Sequence, residues 1–327
     1  MSELYPLKFK PLFKDKIWGG HKIKEVLGMD YSPLPNCGEV WVLSGVEGNQ
    51  SVVETGFLAG NELNDLVEVY MGDLVGDKIY QKFGNEFPIL IKFIDASDWL
   101  SIQVHPDDKL AWNRHQSLGK TEMWYILAAD DGAELITGFS KKVDKKSYQE
   151  HLENKTLKTI MNFEKVNRGD VFYTPAGRVH ALGPGILLAE IQQTSDVTYR
   201  IYDWDRIDQA GMMRERHTEL ALDAIDFNLY DNYKTLYDNK LNQTVKLVES
   251  PYFTSNIIHL NQAIKKDYSQ LDSFVILIAA EGAFDIHYTN SDYRVNPGES
   301  ILLPSAIDEI EIHPLGTTKI LEVYMVM

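Results

Sequence analysis

A single cysteine, Cys37, stands among 327 residues. No internal disulfide is available, and a reducing compartment, the cytoplasm, is the expected setting. No stretch approaches the ~20 consecutive apolar residues of a membrane span. The opening residues, MSELYPLKFKPLFKDKIWGG, hold no continuous apolar run and no small-residue cleavage site, so no signal peptide is expected. Positive charge is also scarce. Lys and Arg total 32 against 48 Asp and Glu, a formal net charge of −16. That surplus argues against nucleic acid or an anionic membrane as a partner. A small anion remains admissible, because a few basic side chains inside a pocket reverse the potential locally.

What is present describes an ordinary globular chain, 44% hydrophobic and 24% charged, long enough for two domains. Short strands and turns fill residues 1–60, with GEVWVLSG at 38–45 a strand bounded by glycines. Leu63, Leu66, Val67 and Tyr70 form a helical stripe within 61–83, closed by Gly84. FPILIKFIDASDWLSIQVHP returns to strand, with a hairpin expected across Asp95–Asp98. The polar stretch after His105 reads as a helix or loop. The Lys/Glu-rich segment 141–166, with Tyr148, Leu152, Leu157, Ile160 and Met161 at helical spacing, reads as one or two inserted helices. A further helix is expected over 215–227 with Thr218 as its N-cap. Residues 228–245 read as a linker, and the remainder is β-patterned, as in a sandwich or barrel.

The chemistry concentrates in two stretches. Ser101, Gln103 and His105 alternate along a β-branched run ended by Pro106, so one face of a strand carries all three. Glu122 opens the apolar run MWYIL, and His180 follows the Pro175-x-Gly177 turn. Two imidazoles, a carboxylate and an amide oxygen can converge on one divalent metal of the borderline type, such as zinc. A weak internal repeat pairs Gly169-x5-Pro175 with Gly298-x5-Pro304, but Glu309 stands where the first copy has His180. Only the first half is equipped for chemistry.

Gly169-x5-Pro175-x-Gly177-x2-His180 resembles the second motif of the cupin superfamily. Leu-Ser-Ile-Gln-Val-His-Pro-Asp (100–107), Gly-Lys-Thr-Glu-Met (119–123), Pro-Ala-Gly-x2-His-Ala (175–181) and Gln-x-Ser-Asp-x-Thr-Tyr-Arg (193–200) follow in order. Together they resemble type I mannose-6-phosphate isomerase in its short bacterial form. The resemblance implies one zinc ion per chain held by Gln103, His105, Glu122 and His180. It implies catalytic roles for Lys120 and Arg200, a phosphate contact at Ser101 and a second basic one at Arg206. Trp18 would belong to the substrate-binding wall, and Glu190 is a further candidate base or ring-opening group. Where the family often has His-Lys-Pro-Glu, this chain has Gly119-Lys120-Thr121-Glu122, so no neighbouring histidine assists proton transfer.

Set against these roles are plain structural ones. Arg200 can pair with Asp203 or Asp205, Trp41, Trp99 and Trp124 can be core, and His259, His287 and His313 are read as structural. The expectation is a mostly-β protein with two cupin-like (jelly-roll) β-barrels and helical insertions near 61–83, 141–166 and 215–227. Residues 1–235 would form the catalytic metal-binding domain, and 236–327 a degenerate cupin-like domain without ligands. The expected activity interconverts mannose 6-phosphate and fructose 6-phosphate through a cis-enediol, in a cytoplasmic monomer or weak homodimer. The alternatives are another sugar phosphate, such as glucose 6-phosphate, or a non-catalytic sugar-binding cupin.

Overall fold

The computed structural model describes residues 4–207 and 211–327. Six strands form one antiparallel sheet in the order β1 (Leu12–Lys14), β2 (Glu39–Leu43), β3 (Ile89–Ala96), β10 (Ile186–Gln193), β5 (Glu122–Ala129) and β8 (Val171–Thr174). Five form a second, in the order β11 (Tyr199–Tyr202), β4 (Ile102–Val104), β9 (His180–Leu182), β6 (Glu134–Phe139) and β7 (Met161–Lys165). The third sheet runs β12 (Thr244–Glu249), β13 (Thr254–Leu260), β18 (Glu309–Tyr324), β15 (Val275–Tyr288) and β16 (Ser291–Val295). Onto it, β14 (Ile264–Asp267) pairs with β18 and β17 (Ser300–Leu303) with β15. The chain is mostly β, as expected. The closed barrels are not what forms. Among the described residues no ladder joins the edge strands of the first two sheets, which are open layers facing each other.

Period-2 alternation explains how the layers stack. On the six-stranded sheet, Ile91, Phe93, Tyr125 and Leu187 point outward into a core shared with Ile276, Ile278, Leu321 and Val323 of the seven-stranded sheet. The intervening residues Ile94, Trp124, Ile126 and Leu188 point inward and meet Leu135 and Leu182 of the five-stranded sheet. Behind that sheet, Ile102, Val104, Val179 and Tyr199 pack against the helical layer through Tyr148 and Ala221. Fully burying each such side chain contributes about 1.5–3 kcal/mol. The gap between the first two sheets is apolar at one end and polar at the other. Buried charges at the polar end each cost several kcal/mol unless paired, and the apolar end offsets that cost.

The helices are α1 (Lys22–Glu25), α2 (Leu63–Tyr70), α3 (Gly72–Val75), α4 (Asp77–Phe83), α5 (Asp108–His115), α6 (Lys145–Glu153) and α7 (Thr218–Ala224). Several expectations need correction. No hairpin spans Asp95–Asp98. Ser97 instead caps the Trp18-Gly19 turn, its Oγ donating to Gly19 O at 2.8 Å, and the chain crosses to the other sheet. Within 141–166 the helix α6, closed by an Asp144–Ser147 capping box, gives way to a 3-10 turn and then to strand β7. Alternation along Asn162, Phe163 and Glu164 was hidden there by the helical spacing around it. His217, not Thr218, precedes α7. Its N–H is committed to Arg200 O at 2.7 Å and its Nδ1 accepts from Arg200 N at 3.2 Å, so Thr218 is already helical. The 228–245 stretch is no free tether. Tyr233 is buried and donates to Phe139 O at 3.0 Å, Tyr237 donates to Gly169 O at 2.7 Å, and Lys234 pairs with Asp170 at 2.7 Å.

Candidate metal centre and substrate pocket

Four strands deliver the polar side chains. β5 brings Glu122 inward beside Trp124, and β10 places Glu190 opposite Trp124 and Lys92 in register. From the facing sheet, β4 and β9 put Gln103 opposite His180. Lys120 lies just before β5 and Ser101 just before β4, each two residues ahead of a polar inward group. The result is a cavity of about 320 Å³ lined by Trp18, Ser101, Gln103, Lys120, Trp124, His180, Glu190 and Arg200, and also by Lys16, Glu39, Lys92, Asp196, Thr198, Arg214 and His217. A cleft of about 400 Å³ near Lys8 and Glu299 lies elsewhere and, among the described residues, gathers no ligating cluster.

At the floor, one ligating atom each of His105, Glu122 and His180 lies within 4.8 Å of the others. His180 Nε2 is 3.2 Å from Glu122 Oε1, and His105 Nε2 is 3.7 Å from Glu122 Oε2. Each imidazole is oriented through its other nitrogen. His180 Nδ1 donates to Arg178 O at 2.8 Å and His105 Nδ1 to Val197 O at 3.0 Å. That tautomer leaves both Nε2 lone pairs aimed at the carboxylate, as metal-ligating histidines are held. His105 Nε2 and both Glu122 oxygens are buried without a hydrogen-bond partner. Unpaired buried acceptors are costly, and a cation among them satisfies all three. The donor set therefore fits a divalent metal. Gln103 Nε2 sits 3.3 Å from His180 Nε2; turning the amide over presents its oxygen to the same cluster.

Electrostatics agree. Burial drives His180 down to about 4, and it drives His105 well below the usual imidazole range, with Lys120 adding to the effect. Both rings are neutral at neutral pH, the form in which an imidazole can hold a metal. Burial and the adjacent Glu190 push Glu122 well up, against the pull of Lys120 and Lys92. Lys120 Nζ stands 3.9 Å from Glu122 Oε2, and Lys92 Nζ 3.5 Å from Glu190 Oε1. Trp124 Nε1 donates to Glu190 Oε2 at 2.9 Å. Glu39 resists burial because Lys92, Lys16 and the Trp41 indole hold it down at about 2.

The opposite wall is cationic. Burial, followed by the field of Arg214, lowers Arg200, whose Nη1 donates to Glu215 O at 3.0 Å while its Nε is buried without a partner. Arg200 pairs with neither Asp203 nor Asp205. Arg206 is not in the lining. It turns to Asp203 at 2.6 Å and Asp98 at 3.5 Å, and Arg214 takes the pocket position, braced on the same Asp203 at 2.7 Å. Sequence reasoning passed over Lys92, Glu39, Arg214 and His217. A lysine inside the apolar run PILIKFI was a usable signal; Arg214 and Arg216 could not be told apart by spacing.

Fold and site define a mostly-β chain with a cupin domain and a buried cluster suited to a divalent metal. Residues 6–140 match the model of the phosphomannose isomerase type I catalytic domain, and residues 243–325 the mannose-6-phosphate isomerase cupin domain. The chain belongs to the type I mannose-6-phosphate isomerase family of enzymes. It is 34% identical to the mannose-6-phosphate isomerase of Streptococcus mutans, covering 92% of this chain and 93% of that one. It is 35% identical to mannose-6-phosphate isomerase ManA of Bacillus subtilis, covering 94% and 95%. The crystal structure of the Bacillus subtilis mannose 6-phosphate isomerase superposes with a TM-score of 0.88 at 30% identity, covering 98% of this chain and 99% of that one. No helix among the described residues is long and apolar enough to cross a membrane.

Proposed function

We propose that the chain interconverts mannose 6-phosphate and fructose 6-phosphate by moving a proton between C1 and C2 of the open-chain sugar through a cis-enediol. The carrying observation is the buried His105–Glu122–His180 cluster, short of hydrogen-bond partners, with Lys120 beside it. Gln103, His105, Glu122 and His180 would hold one zinc ion, a choice that rests on the nitrogen and oxygen donors together with the family likeness. When bound, such an ion polarises substrate oxygens and offsets developing negative charge. Lys120, 6% exposed with its Nζ toward the cluster, takes and returns the proton. Glu190, fixed by Lys92 and Trp124, assists ring opening. Arg200, Arg214 and His217, with Ser101 nearby, receive the phosphate, since guanidinium forks match its oxygens. Trp18 and Leu100 close the pocket wall and limit water. We read 1–235 as the catalytic unit and 236–327 as a second cupin-like unit without ligands. The repeat supports this division: Gly169 and Gly298 both take positive φ, at 89° and 81°, each just ahead of a strand, and His180 and Glu309 each begin one.

A coupled assay of mannose 6-phosphate turnover, before and after chelation and with zinc restored, tests the reading. Activity lost and regained is expected. Stoichiometric metal with no turnover of mannose 6-phosphate would overturn it, and turnover of glucose 6-phosphate alone would move the substrate to another sugar phosphate.

A further inference from the structure

We infer that Arg178, held between Tyr230 and Tyr233, is a positioning residue that fixes the metal-facing orientation of His180. The inference rests on the metal-centre reading above. Arg178 is 8% exposed, and its guanidinium carbon lies 4.4 Å from the Tyr230 ring and 4.9 Å from the Tyr233 ring. A planar cation stacked against two aromatic faces is held in place as well as solvated. Its backbone carbonyl is the acceptor for His180 Nδ1 at 2.8 Å, so any shift of Arg178 turns the imidazole.

The same short segment secures the other side of His180. Tyr233 lies against Gly138, where an added Cβ would come within 2.5 Å of its ring, and its hydroxyl donates to Phe139 O at 3.0 Å. Gly138 and Phe139 follow Thr137 on β6, and Thr137 pairs in register with His180. Tyr230 is itself anchored, donating to Asp226 Oδ2 at 2.6 Å, while Asp226 N donates to Gly177 O at 2.9 Å. Residues 226–233 thus grip His180 from its own strand and from the neighbouring one, through contacts outside the pocket. None of these side chains lines the cavity.

The test uses the metal-free full-length chain and zinc alone. Zinc affinity is read by competition with an indicator chelator, the release rate by adding excess EDTA, and the unfolding midpoint of the metal-free chain is recorded alongside. Arg178→Leu is expected to raise the zinc Kd about tenfold, the lower end for an outer contact to a ligand, with faster release. Arg178→Lys keeps the charge but not the flat stack and is expected to behave like the leucine variant. Tyr230→Leu, at a position 40% exposed, is expected to fold and to show the same loss, and the double variant is expected to be no worse than either single one. A merely structural role would lower the unfolding midpoint and leave zinc affinity and release unchanged; that result in Tyr230→Leu and in folded Arg178→Leu would overturn the inference. A wild-type chain that takes up no zinc, indistinguishable from His180→Ala, would instead remove the metal-centre reading on which it rests.

Discussion

At Asp203 two arginines meet one carboxylate, which is 3% exposed. Burial works against its charge, but the hydrogen bonds of Arg214 and Arg206 outweigh burial and hold it below the usual range. Arg206 spends its guanidinium on this pairing and on Asp98, whereas Arg214 extends into the cavity. The two should separate kinetically. A lost hydrogen bond to a charged group costs about 1.5–3 kcal/mol. Arg214→Ala should therefore raise the KM for mannose 6-phosphate by about 10- to 100-fold, whereas Arg206→Ala should leave it nearly unchanged and lower the unfolding midpoint. Steady-state kinetics of both variants decide between them. Asp95 carries a second residue-scale prediction. Its side chain is buried against Gly20 and accepts Lys22 N at 2.6 Å, and burial raises its pKa from 3.8 to about 6. A carboxyl raised on folding stabilises fully below the unfolded value, and that contribution is lost as pH climbs through about 6. The loss is about 1.4 kcal/mol per pH unit separating the two states. In denaturant titrations the unfolding free energy of the wild type, taken relative to that of Asp95→Asn, should fall between pH 4 and 6.

Among the elements, the turn before β9 illustrates what the chain discloses locally. Gly177 has φ near 90°, and a Cβ there would meet Ala224 O at 3.0 Å. Gly177→Ala should cost about 1–3 kcal/mol of stability, read as a shifted denaturant midpoint, and should weaken zinc binding because His180 follows on the same turn. Pro175-x-Gly177-x2-His180 was legible because the turn itself is closed locally, Arg178 N donating to Pro175 O at 3.0 Å. The face shared by Ser101, Gln103 and His105 was legible for the same reason. Lys92 was not singled out: β3 is buried on both faces, so alternation leaves no trace in its hydrophobicity. The place of Arg214 in the cavity lining depends on Asp203, eleven residues away in sequence, and spacing does not encode that pairing. Tyr202, two residues beyond Arg200, does not line the cavity with Thr198 and Arg200, because the ladder is irregular between Arg200 and Tyr202.

At the scale of the molecule, the six-stranded and seven-stranded sheets share one interior, and the seven-stranded sheet encloses a second on its other face. Phe274, Ile276, Leu321 and Val323 share a core with Ile91, Phe93 and Tyr125, and Phe274 N donates to Val75 O of α3 at 3.3 Å. One cooperative transition is therefore expected in calorimetry with metal-free protein, and a chain ended after residue 235 should expose that face and aggregate. Two resolved transitions would contradict the shared core. The cavity's cationic wall stands inside a molecule of net charge −16, and this sets how a doubly charged anion arrives. At 0.01 M ionic strength the Debye length is about 30 Å and an approaching phosphate ester feels the whole repelling surface; at 0.1 M it is about 10 Å and the ester feels chiefly the mouth it is entering. Moderate salt should accordingly raise kcat/KM before it lowers it, the reverse of an enzyme that steers its substrate from afar.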